Sequence, residues 1–436
     1  MSPQGPAPLE RYRRSLDQLA RAEAVIPLGS QTFSKSRIAL PIGASPLFIE
    51  RGAGSHVWDV DGNEYIDFMS GLLAISLGYS DPDVNAAVQA QLEQGVIFSL
   101  PHPIETEVAE RIVDLVPCAE FVRFGKNGSD ATAGAVRVAR AYTGRDRVAV
   151  CGYHGWQDWY IGSTTRDLGV PAATKALTHP FRYNDVGSLE ALLDAYPGEF
   201  AAVILEPMNT TWPDDGFLPG VADATRRHGA LLVFDETITG FRHAMGGGQE
   251  LFGVTPDLAT FGKGVANGFP LAILTGRREV MRLMEDVFFS FTFGGETLSL
   301  AAAKAVIDKM RREPVLDTIH RRGRAVLDGV TERISAHGVE GFCSASGHPA
   351  WSFFTIADAP PYSALELRTL YLQEMFARGI LIIGSHNMSY AHSDADVAAL
   401  LAAYDEVLPI LRSGIDQGDL LDRLHCEPLK PLFKVR

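Results

Sequence analysis

From about Asp59 onward, short apolar runs rich in β-branched residues alternate with segments of helical period. This alternation is typical of a parallel β-sheet covered by helices, because each strand returns to the same edge through a crossover connection. Six runs are apolar enough to be strands buried on both faces: 120–124, 147–151, 200–205, 231–235, 258–261 and 271–275. The sequence therefore predicts an α/β fold whose ligands bind at the carboxyl ends of the strands.

The first clear helix is predicted after Asp81, a capping residue that Pro82 follows. Apolar residues at four-residue spacing predict that this helix buries Val84, Val88 and Leu92. A later helix is predicted to begin after Ser393 as its cap.

The chain has 436 residues, about three times the usual size of one domain. After about residue 310 the strand and helix pattern changes. We predict a large domain over residues 59–312 and a smaller α+β domain built from residues 1–58 and 313–436.

Composition excludes several classes of function. The net charge is −14 and no block of basic residues occurs, which argues against nucleic acid as a partner. No run of 18 apolar residues and no apolar leader is present, so we expect a cytoplasmic protein that does not enter a membrane. Neither the four cysteines nor the twelve histidines show metal-ligand spacing, and no metal is predicted.

Three polar residues directly follow apolar runs. Asp235 and Glu206 end two of them, and Lys263 lies between two glycines after a third. A desolvated carboxylate needs a cationic or hydrogen-bonding partner, such as a protonated pyridine nitrogen, although a helix cap or an internal ion pair would also serve. A desolvated lysine is a nucleophile that forms an imine with an aldehyde, although most lysines are simply solvated.

Two loops add to this set. In FGKNGSDATAGAVRVARAY, Gly128 and Ser129 lie where a turn enters a helix, which suits either a phosphate or an ordinary cap. In CGYHGWQDWY, Tyr153 lies on a glycine-bounded loop that suits either stacking on a planar ring or packing. Phosphate, planar ring, ring nitrogen and aldehyde together describe pyridoxal 5′-phosphate.

Longer motifs identify a resemblance. The chain resembles the class III, fold-type I pyridoxal-phosphate aminotransferases, the family that includes glutamate-1-semialdehyde 2,1-aminomutase and sugar and cyclitol aminotransferases. The motifs are WDVDGNEYIDF at 58–68, VRFGKNGSDATAGAVRVARAYTGRDRV at 122–148, GYHG at 152–155, LEP at 205–207, LLVFDETITGFR at 231–242, LFGVTPDLATFGKGVANGFP at 251–270 and TLS at 297–299. The resemblance implies a large domain with a mostly parallel seven-stranded sheet and a small α+β domain from both chain ends.

The resemblance also implies roles for the cofactor residues. Lys263 matches the Schiff-base lysine and Asp235 matches the acid that pairs with the pyridine nitrogen. Gly128 and Ser129 match the phosphate turn, and Tyr153 matches the aromatic that stacks on the ring.

Two further matches concern the edges of the site. Thr297 matches a threonine that reaches the phosphate of the neighbouring subunit, which implies a homodimer with composite sites, and Glu206 matches a glutamate near the cofactor. The sequence departs from the family where substrate is expected. Lys35 stands where the aminomutase has an arginine, and GSHNMSYAHS, with His386 and Asn387, replaces a glutamate-bearing loop. Lysine lacks the bidentate fork of arginine, so recognition of a substrate carboxylate is altered.

The resemblance implies a transaminase with a ping-pong mechanism. We expect an amino-acid donor, glutamate for example, and a ketone or aldehyde acceptor that is a sugar or cyclitol. One alternative is glutamate-1-semialdehyde 2,1-aminomutase. Another, from a different class, is a pyridoxal-phosphate-binding dimer without catalytic activity.

Overall fold

The computed structural model describes residues 9–431. The strands, in chain order, are β1 (Ile49–Ala53), β2 (His56–Asp59), β3 (Glu64–Asp67), β4 (Phe121–Gly125), β5 (Arg147–Cys151), β6 (Thr178–Pro180), β7 (Phe200–Leu205), β8 (Leu231–Asp235), β9 (Leu258–Phe261), β10 (Ala272–Gly276), β11 (Cys343–His348), β12 (Trp351–Ile356), β13 (Ile380–Leu381) and β14 (Ser385–Asn387). The α-helices are α1 (Arg13–Glu23), α2 (Ser70–Leu73), α3 (Pro82–Gln94), α4 (Pro103–Leu115), α5 (Gly128–Thr143), α6 (Asp158–Ile161), α7 (Ala172–Lys175), α8 (Val186–Ala195), α9 (Phe217–Arg227), α10 (Gly248–Phe252), α11 (Arg278–Met281), α12 (Thr297–Arg312), α13 (Val315–Ala336), α14 (Ala364–Ala377) and α15 (Asp394–Gln417).

The described chain forms two compact units. The larger unit contains residues 73–76 and 82–316, and the smaller unit contains residues 9–72, 77–81 and 317–431. The domain boundaries predicted after residues 58 and 312 stay a prediction.

A seven-stranded sheet forms the centre of the larger unit. Its strand order is β4-β10-β9-β8-β7-β5-β6. Neighbouring strands from β9 to β6 are parallel, whereas β10 runs antiparallel to both β4 and β9. The prediction of a mostly parallel sheet is confirmed, and all six predicted strands are present to within one residue. The short strand β6 was not predicted, because three residues give too little pattern.

Alternate strand residues of this sheet face two separate apolar layers. On one face, Val233 and Ile204 pack with the helix α5 and with Trp159. On the other face, Phe234 and Leu205 pack with the helices α8 and α9. Helices therefore cover both faces, which explains why the strands are apolar throughout rather than alternating.

The helix α3 differs from its prediction in two positions. Val84 is buried as expected, but Val88 is only partly buried, Leu92 is 56% exposed and Gln91 is buried instead. Seven residues make nearly two turns of about 3.6 residues each, so Gln91 returns to the face of Val84, whereas a four-residue spacing drifts around the helix.

The smaller unit contains two further sheets. Their strand orders are β1-β2-β3-β13 and β11-β12-β14. The long helix α15 begins after Ser393, whose Oγ accepts a hydrogen bond from the N–H of Asp396 at 3.1 Å. The predicted cap is thereby confirmed.

Candidate active site

Four neighbouring parallel strands of the larger unit end at one edge of the sheet. Lys263 follows β9, Asp235 is the last residue of β8, and Glu206 follows β7. The neighbouring strand β5 leads into residues 152–156. Parallel strands present their carboxyl ends at the same edge, so the sheet brings together residues up to 111 positions apart in the chain. Lys263, Asp235, Glu206 and the loop of Tyr153 therefore lie at one edge of the sheet.

Asp235 is almost fully buried and is held by four hydrogen bonds. Its Oδ1 accepts from the N–H of Thr237 at 3.1 Å, from Thr237 Oγ1 at 2.6 Å and from Thr260 Oγ1 at 3.2 Å. Its Oδ2 lies 2.9 Å from His154 Nδ1. Burial raises the pKa of Asp235, but the hydrogen bonds from His154 and Thr237 outweigh it and hold this pKa below its ordinary value. The carboxylate is thus kept ionised in the protein interior.

Both ring nitrogens of His154 face oxygen atoms. Its Nε2 lies 3.2 Å from the carbonyl oxygen of Cys151, and its Nδ1 lies 2.9 Å from Asp235 Oδ2. The ring is 2% exposed. The imidazole is therefore the hydrogen-bond partner of the Asp235 carboxylate, and sequence reasoning did not assign His154 this role.

Glu206 is the second buried carboxylate at this edge. Its Oε2 accepts hydrogen bonds from the N–H of Tyr153 at 3.0 Å and from Asn209 Nδ2 at 2.9 Å. Burial raises the pKa of Glu206, and the nearby charge of Asp235 adds to the rise. A Cβ atom on Gly152 would lie 2.4 Å from the same oxygen, so the glycine is required for this approach.

Lys263 begins a short 3-10 turn directly after β9 and Gly262. Its φ is +46°, a left-handed backbone conformation that is uncommon outside glycine and clusters at functional sites. Burial lowers the pKa of Lys263, while Glu206 and Asp235 oppose the shift and the guanidinium of Arg242 favours it. More of the amine is neutral, and hence nucleophilic, than in a solvated lysine.

The turn between β4 and α5 is built for close approach. Gly128 and Ser129 open α5, and the first N–H groups of a helix have no acceptor within it. Ser129 Oγ accepts from the N–H of Trp156 at 3.3 Å. A Cβ atom on Gly155 would lie 2.2 Å from this Oγ, and Gly155 has a φ of +103°. The turn and the loop after β5 are thus in direct contact.

Thr237 lies between the phosphate turn and the lysine loop. A Cβ atom on Gly128 would lie 3.2 Å from the Thr237 side chain, and one on Gly262 would lie 3.3 Å from it. Its hydroxyl is turned to Asp235. The direction of this hydroxyl depends on tertiary contacts and was not predicted from the sequence.

Tyr153 and Thr297 were predicted to contact the cofactor. Tyr153 is 48% exposed and its ring meets that of Tyr160 edge to face at 5.6 Å. Thr297 is buried at the start of α12, where its Oγ1 donates to the carbonyl oxygens of Gly95 and Val96. The stacking role of Tyr153 and the contact of Thr297 with a neighbouring subunit stay predictions.

The residues at this edge suit pyridoxal phosphate. Gly128 and Ser129 offer helix N–H groups to a phosphate, Asp235 offers a charged partner to a pyridine nitrogen, and Lys263 offers an amine to an aldehyde. Each glycine that borders the region leaves room that a side chain would fill.

The predicted substrate residues belong to the smaller unit. Lys35 is exposed in a 3-10 turn, Phe33–Lys35. His386 is buried, with Nδ1 2.9 Å from Ser352 Oγ and Nε2 2.9 Å from Tyr404 Oη. Burial lowers the pKa of His386 to about 3, so the ring is neutral.

Asn387 is also buried. Its Nδ2 donates to the carbonyl oxygen of Met69 at 2.7 Å, and its Oδ1 has no hydrogen-bond partner among residues 9–431. The substrate roles of Lys35, His386 and Asn387 stay predictions.

The described residues contain neither a metal-binding cluster nor a membrane-spanning helix. Within residues 9–431 no cluster of three or more histidine, cysteine or acidic side chains is placed to hold a metal ion. In the same part of the chain no helix has the length and apolar content needed to cross a bilayer.

Comparison with known proteins defines the class. The sequence profile of the class-III aminotransferases matches residues 40–341. The chain belongs to this family and is an enzyme of the aminotransferase class. The prediction of pyridoxal phosphate as the cofactor is confirmed at the level of the family.

Individual relatives cover nearly the whole chain. It is 35% identical over 408 residues to 3-aminobutyryl-CoA aminotransferase of Cloacimonas acidaminovorans, covering 91% of this chain and 97% of that protein. It is 35% identical over 391 residues to glutamate-1-semialdehyde 2,1-aminomutase of Syntrophobacter fumaroxidans, covering 84% and 90%.

The solved structures agree. The FumI protein of Sphingopyxis sp. MTA144, in its pyridoxal-phosphate internal aldimine form, is 30% identical, with a TM-score of 0.87 and coverage of 96% of this chain and 99% of that one. An omega-transaminase from Sphaerobacter thermophilus is 27% identical, with a TM-score of 0.83 and coverage of 93% and 100%. The predicted fold-type I architecture is confirmed.

Proposed function

We propose that the protein transfers an amino group from an amino-acid donor, such as glutamate, to a ketone or aldehyde acceptor in two half-reactions. The convergence of Lys263 and the ionised Asp235 at one sheet edge carries this proposal. When bound, pyridoxal phosphate supplies an aldehyde and an electron-accepting ring.

The chain's own residues divide the remaining work. Asp235 would hold a proton on the pyridine nitrogen, because its carboxylate is ionised and buried. Lys263 Nζ would take a proton from the substrate carbon and return it, since its lowered pKa gives it a neutral form. The first turn of α5 would fix the phosphate.

Lys263→Ala tests this assignment. Turnover should fall by at least about 10²–10⁴-fold, the contribution of a positioned acid-base group, and the visible absorption band of the lysine-bound cofactor should disappear. Lys175→Ala, which removes a lysine paired with Asp167, is the control and should keep both. Full turnover in Lys263→Ala would contradict the proposal.

Two classes of compound are candidates for the acceptor. We keep a sugar or cyclitol as the predicted acceptor, on the polar replacements QTFSKSR and GSHNMSYAHS. A second candidate is a 3-oxoacyl thioester of coenzyme A, favoured by the relative whose name specifies a 3-aminobutyryl-CoA substrate. The purified enzyme, with its cofactor carrying the amino group, should be mixed with sugar or cyclitol ketones and with 3-oxoacyl thioesters of coenzyme A. The compound that restores the absorption spectrum of the aldehyde form of the cofactor is identified as the acceptor.

The aminomutase alternative has its own support, because several similar proteins are named glutamate-1-semialdehyde 2,1-aminomutase. A mutase needs no external amino donor. Product formation from glutamate 1-semialdehyde alone would establish the mutase, whereas an absolute need for a second amino compound supports the transaminase.

We also propose a homodimer. Six large apolar side chains are exposed on two segments near the start of α12. We call them the apolar rim: Ile97, Phe98, Leu100, Phe288, Phe291 and Phe293. The N–H of Thr297 donates to the carbonyl oxygen of Val96 and so joins the two segments. A patch of this kind on a soluble enzyme indicates a protein interface, and a second copy is the partner that the family resemblance implies.

A further inference from the structure

A cavity of about 390 Å³ lies beside α5 in the larger unit. We call it the α5 cavity and define it by Arg137, Arg140, Trp156 and Trp159, which line it. Arg137 and Arg140 are three residues apart and share one face of the helix. The volume lies within the range of about 300–1,000 Å³ that is usual for small-molecule sites.

The two arginines donate hydrogen bonds to backbone carbonyls. Arg137 Nη1 donates to the carbonyl oxygen of Phe288 at 3.1 Å, and Arg140 Nε donates to that of Asp146 at 2.8 Å. Within residues 9–431 neither forms a close ion pair, although the charge of Asp146 acts on Arg140 and raises its pKa against the lowering by burial. Asp158 also lines the cavity but is not paired with either guanidinium. Burial lowers the pKa of Arg140, so a bound anion would stabilise its charge.

Two tryptophans also line the cavity. Trp156 is 68% exposed, which is unusual for so large an apolar ring. Trp159 is 7% exposed, and its indole N–H is buried without a hydrogen-bond partner in the described part of the chain. An exposed indole at the edge of a cavity is available to stack on a planar ligand.

The arginine end of the cavity is separate from the phosphate turn, although Trp156 at the other end binds Ser129 through its N–H. Ser129, at the start of α5, belongs to the phosphate turn, whereas Arg137 and Arg140 lie eight and eleven residues further along the same helix. At about 1.5 Å per residue these positions are about 12 and 16 Å from Ser129 along the axis. One phosphate cannot contact both places.

We propose that the α5 cavity binds a nucleoside phosphate, with the phosphates on Arg137 and Arg140 and the base against Trp156. Guanidinium groups bind phosphate in a bidentate manner, and an exposed indole stacks on a planar base. Such a group occurs as a free nucleotide or as the nucleotide end of a coenzyme A thioester. The site depends on this chain's own residues and not on the identity of the acceptor.

The test uses the purified holoenzyme. Binding of adenosine 3′,5′-bisphosphate, coenzyme A, ADP and inorganic phosphate is measured by calorimetry and by tryptophan fluorescence. Arg137→Ala with Arg140→Ala should weaken nucleotide binding by at least about tenfold for each lost guanidinium. Arg226→Ala with Arg227→Ala, which removes two exposed arginines of α9, is the control and should bind within twofold of the wild type. Trp156→Ala should weaken binding, and Trp156→Phe should largely restore it.

Each result has a meaning. Tighter binding of coenzyme A and the bisphosphate than of ADP supports the thioester source, and equal binding of ADP supports a free nucleotide. The proposal is overturned if no nucleotide saturates the protein at millimolar concentration, if inorganic phosphate binds as tightly as the nucleotides, or if the double variant binds like its control. It is also overturned if the arginine variants change only the monomer–dimer balance, which would mean that a second copy covers the cavity. An unchanged cofactor absorption band in the two arginine double variants separates these outcomes from a failure of the proposed amino transfer.

Discussion

Asp235 and Glu206 are two buried carboxylates at neighbouring strand ends, and their pKa values are displaced in opposite directions. Burial would raise both pKa values, but only Asp235 receives hydrogen bonds from His154 and from the hydroxyl of Thr237. Two like charges in the protein interior repel each other. A buried pair of carboxylates is therefore more stable when the environment favours the charge on one member only. At the scale of single residues, the environment assigns the permanent negative charge to Asp235.

His154→Asn should move the acid limb of the kcat/KM profile to higher pH. The hydrogen bond from His154 favours ionised Asp235, so its loss raises the pKa of Asp235 and protonates the carboxylate at a higher pH than in the wild type. For the same reason, the stability that ionised Asp235 contributes should be lost at a higher pH during acid titration.

The measurement is the pH dependence of kcat/KM together with acid unfolding followed by circular dichroism. His228→Asn is the matched control, because His228 pairs with Asp194 outside the site. An acid limb that stays in place in His154→Asn, or moves equally in the control, would refute the role of the pair.

At the scale of elements, the loop after β5 and the first turn of α5 form one unit. The N–H of Trp156 binds Ser129 Oγ, and Thr132 Oγ1 donates to the carbonyl oxygen of His154 at 2.9 Å. The loop therefore places His154 beside Asp235 while it supports the turn that would hold the phosphate. A change in the loop is expected to affect both.

Gly155→Ala should weaken cofactor binding beyond what backbone strain explains. The new Cβ would meet Ser129 Oγ at 2.2 Å, and the left-handed φ adds strain of about 1 kcal/mol or more. Gly169→Ala is the control, since Gly169 also has a left-handed φ but would place its Cβ in open space. Urea unfolding should show a lower free energy of unfolding for both variants. Equilibrium dialysis should show a lower affinity for pyridoxal phosphate in Gly155→Ala only. Equal affinities in the two variants would count against this account.

At the scale of the whole molecule, the apolar rim is exposed to solvent when only one chain is considered. Exposed apolar area of this kind promotes association, and burying it against a second copy would stabilise the protein. Thr297 lies between its two segments, so the same interface would bring Thr297 to a neighbouring subunit.

Phe293→Asp should dissociate the proposed dimer and lower its activity, because a buried charge in an apolar interface is unfavourable. Sedimentation velocity measures the oligomeric state, and turnover is followed at the same concentrations. Leu168→Asp provides the comparison, since Leu168 is fully exposed and not part of the rim. A wild type that sediments as a monomer, or a Phe293→Asp variant that remains dimeric, would disprove the proposed interface.

The sequence was sufficient to choose candidate site residues at positions that follow apolar strands. Lys263, Asp235 and Glu206 could be chosen because a polar residue after a buried run must lie at the carboxyl edge of a parallel sheet. The pairing of His154 with Asp235 could not be chosen, because it joins residues 81 positions apart and depends on the rotation of one imidazole ring. Leu92 was misassigned because a spacing rule ignores the drift of a helical face.

Chain order and periodicity by themselves determined the α/β class, the strands, the cap at Ser393 and the places of Lys263, Asp235 and Glu206 after apolar strands, because these depend on local pattern. Tertiary structure alone decided that Thr237 turns its hydroxyl to Asp235, that His154 pairs with the same carboxylate, and that Arg137, Arg140 and Trp156 line one cavity. Hydrogen bonds and desolvation depend on which side chains meet in space, and that is set by the packing of distant segments.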